Sequence, residues 1–144
     1  MKPTPFQHSV FYAIERAIKT YRRFAQDRIG QTVPKLTINQ ALLLELLARN
    51  PDISQNEMAV LLFKDLAAIT RMMELLVKQG YVVRSPHPKD RRKHQLRLTE
   101  SGREKVELVR PVTLQNRADA LAGFSEEEKA TLKRLLERLI TNCQ

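Results

Sequence analysis

Lys89, Arg91, Arg92 and Lys93 crowd around one acid, Asp90, in the proline-stiffened stretch Ser85–His94. Upstream, Arg71 stands directly behind Ala67, Ala68 and Thr70. Between residues 64 and 98, nine lysines and arginines oppose three acids. About a quarter of the 144 residues therefore holds +6 of the total charge of +9. This is chemistry for binding, not for turnover. Ammonium and guanidinium groups neutralise phosphate and release its counterions, and a well-placed guanidinium reads guanine bidentately. A charge run alone is often just a solvated face, so its meaning depends on what carries it. Catalysis has less support. Metal nucleases need clustered carboxylates on converging elements, and the acids here occupy helix starts or surface pairs. There is no glycine-rich phosphate loop, and His8, His87 and His94 are scattered. The chain is expected to have no enzymatic activity, no metal and no cofactor.

The elements that must position these bases follow from local spacing. Asp65 is suited to cap a helix. Behind it Leu66, Ile69, Met73 and Leu76 share one helical face. Ala67, Arg71, Glu74 and Lys78 lie opposite, with Thr70 near the front, and Glu74 and Lys78 read as a surface i,i+4 pair. Gly80 suits the left-handed residue that ends many helices. Tyr81–Arg84 and Gln95–Leu98 read as strands flanking the basic loop, giving helix, strand, charged loop, strand. Ahead of this unit, Thr37 with Gln40 forms a capping box that opens a Leu-rich helix to about Arg49. Asn50-Pro51-Asp52 breaks it. Ser54 with Glu57 opens a short helix through Met58 and Leu62, and Phe63-Lys64 turns into the 65–79 helix. Short helix, tight turn and longer helix make a helix-turn-helix, whose second helix enters the major groove N-terminus first. Ser54 and Gln55, at the start of the first of these helices, join the DNA-binding candidates.

Both ends of the chain are helical and amphipathic. Residues 8–29 place Phe11, Ile14, Ile18, Tyr21 and Ala25 on one stripe, widened by Ala17 and Phe24, with Gly30 ending the helix. Thr99 or Ser101 starts a long helix marked by Val106, Val109, Val112 and Leu121. Pro111 inside it is expected to kink it, and Gly123 breaks it. Ser125 with Glu128 caps a last helix carrying Leu132, Leu135, Leu136, Leu139 and Ile140. These stripes exceed what a lobe built on 37–98 can cover, and a two-fold dimer is the economical solution. The expected fold is mostly α with a small β-hairpin wing (α+β), in one domain of residues 1–144. Dimerisation helices in 1–36 and 100–144 flank a winged-helix DNA-binding lobe at 37–99. No stretch reaches the ~18–20 apolar residues of a membrane span. The N-terminus lacks a signal-peptide core, so a cytoplasmic protein is expected. The lone Cys143 can form no intrachain disulfide.

On these residues the chain resembles the multiple-antibiotic-resistance regulator (MarR) family of bacterial winged-helix transcription factors. The resemblance runs over nearly the whole chain. It is most specific in Asp65–Met72, in Lys78–Arg84, and in Asp90-Arg91-Arg92 followed by Leu98-Thr99 and Gly102. It implies a homodimer joined through the first and last two helices. It implies that Ala67, Ala68, Thr70 and Arg71 read the major groove of double-stranded DNA. By the same resemblance Arg92 enters the minor groove, where inserted guanidinium groups are favoured, and Asp90 positions the wing arginines. Lys89, Arg91 and Lys93 then fall to phosphate contacts, which add affinity without sequence preference. The family also often answers to small aromatic or anionic effectors held between the dimer helices and the lobe, a crevice to which Tyr12, Arg16, Tyr21 and Phe24 are candidates. The competing expectation is a structural protein that coats or bends DNA with little sequence preference.

Overall fold

The computed structural model describes all 144 residues. In chain order they form α1 (Val10–Thr32), α2 (Ile38–Arg49), α3 (Gln55–Leu62), α4 (Leu66–Lys78), β1 (Val82–Pro86), β2 (His94–Leu98), α5 (Glu100–Ala120) and α6 (Glu126–Asn142), after a 3₁₀ turn at Pro5–His8. The two strands pair antiparallel, with Val82 opposite Leu98 and Pro86 opposite His94.

Side-chain caps set most helix starts. The Thr37 hydroxyl accepts from the Gln40 amide and the Gln40 side chain from the Thr37 amide, both at 3.1 Å. Ser54 with Glu57, and Ser125 with Glu128, repeat this reciprocal pattern. The Asp65 carboxylate accepts from the Ala68 amide at 2.7 Å. At the head of α5 the structure chooses Thr99, which accepts from the Gly102 amide at 3.0 Å. Ser101 lies inside the helix.

Two expected boundaries move. Gly30 does not end α1, which starts at Val10 and runs on to Thr32. Ile29 and Val33 are buried in the core, and anchoring the last turns there outweighs the ~1 kcal/mol by which glycine disfavours a helix. Tyr81 lies outside the ladder, which extends instead to Pro86. The Tyr81 carbonyl accepts from the Thr99 amide at 3.0 Å and ties the wing's base to the start of α5.

One core joins the lobe to the inner ends of the terminal helices. Leu43, Leu44 and Leu47 of α2, Met58 and Leu62 of α3, and Ile69, Met73 and Leu76 of α4 meet Ile29 of α1, Val33 just beyond it, and Val106 and Val109 of α5. Fully burying such side chains is worth ~1.5–3 kcal/mol each. Leu66 departs from the expected face: it sits in the first turn of α4 and stays 46% exposed. β2 does not simply alternate either, since Gln95 is buried with Leu98. Its carboxamide donates to the Pro51 carbonyl and to Asp52, at 3.2 and 3.1 Å, stapling the wing to the α2–α3 turn. Gln26 does similar work for α1, donating to the Leu36 carbonyl and accepting from the Ile38 amide, both at 2.9 Å.

The outer parts of the terminal helices remain uncovered. α6 has no buried residue, and Leu132, Leu135 and Ile140 are about half exposed. Phe11 and Ile18 of α1 are likewise open. No helix is long and apolar enough to cross a membrane.

Candidate nucleic-acid interface

The front of α4 is braced from α3. The Thr70 hydroxyl donates to the Gln55 side-chain oxygen at 2.9 Å, which leaves the Gln55 amide hydrogens free. Two residues read separately from sequence are thus one unit. Ala67 and Arg71 are exposed beside it, while Ala68 is half-buried. Arg71 forms no ion pair in the chain, so its guanidinium is uncommitted. Ser54 is occupied differently: its hydroxyl and amide both engage Glu57. Those bonds, the Ser54 amide first, hold the Glu57 carboxyl below the usual glutamate value. Glu74 and Lys78 do not form the expected ion pair. Nothing forces these two exposed, rotamer-rich side chains together, and ordering them gains little.

Hydrogen bonds order the wing tip. The Asp90 carboxylate accepts from the Arg92 backbone amide at 3.0 Å. The Asp90 carbonyl accepts from the Lys93 amide at 3.1 Å, and the Lys93 carbonyl from the His87 amide at 2.9 Å. The His87 ring accepts from the Lys89 amide at 3.1 Å. Asp90 therefore shapes the turn without neutralising an arginine side chain. Lys89, Arg91, Arg92 and Lys93 all remain exposed. His87 is a member of this tip that spacing gave no reason to single out.

A separate cavity of about 400 Å³ lies between α1, α2 and α5. Tyr21, Arg22, Glu45, Arg49, Arg110 and Arg117 are among its lining residues. Glu45 accepts from Arg110 at 3.2 and 3.3 Å and also from Arg49. The Glu45 carboxylate raises the already high Arg110 pKa, with Glu107 adding to it. Four arginines against one carboxylate, over a mostly apolar wall, suit a small anion with an apolar body. Of the effector candidates only Tyr21 lines this space. Tyr12 meets Phe6 edge-on with ring centres 5.0 Å apart, Arg16 is exposed, and Phe24 lies under the Arg28 guanidinium at 4.2 Å. Periodicity could not find the arginines, because they come from three helices distant in sequence.

Known proteins resemble this chain in sequence and in fold. The sequence pattern of the MarR family matches residues 35–93. The uncharacterized HTH-type transcriptional regulator YkoM of Bacillus subtilis is 30% identical over 136 residues, covering 87% of this chain and 86% of that protein. The chain belongs to the MarR family. The HTH-type transcriptional repressor IacR of Pseudomonas putida is 28% identical, with 93% of this chain and 79% of that protein covered. The structure describing regulation of DNA binding of Bordetella bronchiseptica BpsR by 6-hydroxynicotinic acid superposes with a TM-score of 0.78 at 26% identity, over 96% of this chain and 97% of that one. MarR-family proteins are DNA-binding transcriptional regulators and not a family of enzymes. The six helices and two-stranded hairpin form the family's winged-helix fold.

Proposed function

We propose that this chain is a sequence-specific repressor that binds a pseudopalindromic operator as a homodimer and answers to a small anionic effector. The observation that carries the reading is the uncommitted Arg71 beside the braced Thr70–Gln55 pair, with an ordered and un-neutralised basic wing. On this reading Ala67, Ala68, Thr70, Gln55 and Arg71 face the major groove, and Arg92 enters the minor groove. Lys89, Arg91, Lys93 and Ser54 touch phosphate. A bidentate Arg71–guanine contact would discriminate by ~1–3 kcal/mol. Residues 37–99 form the DNA-binding lobe, with pairing surfaces in 1–36 and 100–144 of one domain. The uncovered apolar faces of α1 and α6 support pairing. The name of IacR supports repression, and the cationic cavity together with the effector named for BpsR supports ligand response. A regulator of transcription works where the chromosome lies, so we infer a cytoplasmic protein.

The test is selection of binding sites by the full-length chain from a random duplex pool near physiological salt. An enriched inverted repeat, its half-sites about one duplex turn apart, is the expected outcome. Tight, salt-sensitive binding without enrichment would favour the structural DNA protein instead, because a specific regulator keeps a ratio of ~10³ or more over random DNA.

A further inference from the structure

Phe63 occupies the corner between α3 and α4 with φ +55° and ψ +42°, in the left-handed region. Lys35 is the only other residue besides glycine with positive φ. Bulky L-residues rarely adopt this conformation, because Cβ crowds the following carbonyl. The corner demands it all the same: the Phe63 amide donates to the Val60 carbonyl and the Lys64 amide to the Ala59 carbonyl at 2.9 Å, closing the end of α3. Glycine would satisfy that geometry without strain. The side chain recovers nothing from the core, since Phe63 is 91% exposed. An aromatic ring in the least suitable backbone conformation, in open water, has no role in the free fold.

Its position supplies one. Phe63, Lys64 and Asp65 are the link that leads directly into α4, and α4 enters the groove by that end. Phe63, Leu66 and Ala67 are exposed apolar residues there, interleaved with the charged Lys64 and Asp65 and followed by Arg71. Asp65 is engaged as the cap of α4, so the stretch offers apolar side chains and the cations Lys64 and Arg71 at the end of α4 that leads into the groove, where phosphates flank base edges. The one apolar group displayed in that groove is the C5-methyl of thymine, and phenylalanine is among the side chains that contact it. We propose that Phe63 reads a thymine methyl in each half-site, extending the operator readout beyond Arg71. The proposal rests on the operator-binding reading above.

The experiment uses the operator obtained by selection, at fixed salt and protomer concentration. Equilibrium binding is measured for the wild type and Phe63→Ala on that duplex, and on duplexes with thymines replaced by uracil symmetrically in both half-sites. Removing one buried methyl per half-site should weaken wild-type binding about fourfold each, or roughly 15-fold for a dimer. Phe63→Ala should bind the thymine and uracil duplexes alike at that position. Phe63→Gly should melt about 2–4 °C higher as strain is released, yet bind the operator more weakly. A merely structural residue would not move the two readouts in opposite directions. Wild-type affinity in Phe63→Ala overturns the proposal. So does a loss of affinity that leaves every thymine-to-uracil ratio unchanged, which would place the ring on the backbone. If the wild type itself enriches no operator, the regulator reading fails first, and the two failures are distinguishable.

Discussion

Gly102→Ala is a single methyl placed where the lobe meets the terminal helices. A Cβ at Gly102 would lie 2.1 Å from the Tyr81 carbonyl oxygen and 3.3 Å from the Leu98 side chain. The Leu98 methyl is the end of a side chain, but the carbonyl is backbone. Restoring contact distance requires α5 to draw back from the wing's base by about 1 Å. That shift stretches the Thr99 amide bond to the same carbonyl, now 3.0 Å, and the Thr99 hydroxyl bond to the Gly80 carbonyl, now 2.6 Å. Overpacking costs ~1–3 kcal/mol and each weakened bond up to ~1 kcal/mol. We expect a loss of roughly 2–4 kcal/mol, a large share of the ~5–15 kcal/mol that holds a typical domain together.

Gly30→Ala is the matched control. Gly30 lies inside α1, and an added Cβ would meet nothing nearer than the Gln26 amide nitrogen at 3.9 Å. There the better helix propensity of alanine should stabilise by ~0.5–1 kcal/mol. Thermal melts at equal protomer concentration should therefore move in opposite directions, Gly102→Ala down by roughly 5–15 °C and Gly30→Ala up by roughly 1–4 °C. Operator binding by Gly102→Ala, assayed where the variant is still folded, should weaken because the wing's base has moved. A Gly102→Ala melt within ~1 °C of wild type would refute the claim that this close approach fixes the wing on α5.

Three further outcomes are expected. Arg92→Ala removes an exposed side chain whose residue is held only through its backbone amide. Operator affinity in an anisotropy titration should fall at least ~10-fold, while stability stays within ~0.5 kcal/mol; unchanged affinity would remove the wing from the mechanism. Truncation after Gly123 deletes α6, and sedimentation should then report monomer or aggregate, whereas a well-behaved dimer would place the pairing surface elsewhere. Acid stability supplies the third. The capping serines hold Glu57 and Glu128 below the ordinary 4.5, while Arg28 first, and then Gln115, hold Asp119 down. Groups with depressed folded values contribute stability above the unfolded value and lose it as pH falls through the folded one. The melting temperature should therefore drop below about pH 4.5, and Glu57→Gln with Glu128→Gln should flatten that limb. An unaltered limb would mean that the caps contribute nothing to it.

The parts of this molecule legible from its sequence are those written within a few residues. Thr37 with Gln40, Ser54 with Glu57 and Ser125 with Glu128 are complete devices inside four positions, and each forms as its chemistry dictates. The buried face of α4 follows from the helical period, which fails only at Leu66, beyond the reach of the core. What was not legible depends on partners distant in the chain. Gln95 is a polar residue in a short strand until Pro51 and Asp52 come beside it. The cavity arginines converge only when α1, α2 and α5 have packed. Gly30 looked like a terminator because a helix end is judged from local preference, while burial of Val33 decides this one.

The uncovered faces lead to a consequence for recognition. The lobe's core closes using only the inner ends of α1 and α5, with no contribution from α6. Leu132, Leu135 and Ile140, about half exposed, therefore lie outside the core of a single copy. On the proposed reading, their contribution appears only when a second copy covers them, and their packing then sets how far apart two α4 helices stand. Groove contacts by Arg71 and Arg92 would choose the bases of each half-site, whereas side chains far from DNA would choose the spacing between half-sites. Changes in α6 should then alter tolerance to operator spacing while leaving half-site sequence preference untouched. A ligand between α1, α2 and α5 would act through that same spacing, because it alters DNA affinity only by favouring one arrangement of the two helices over another.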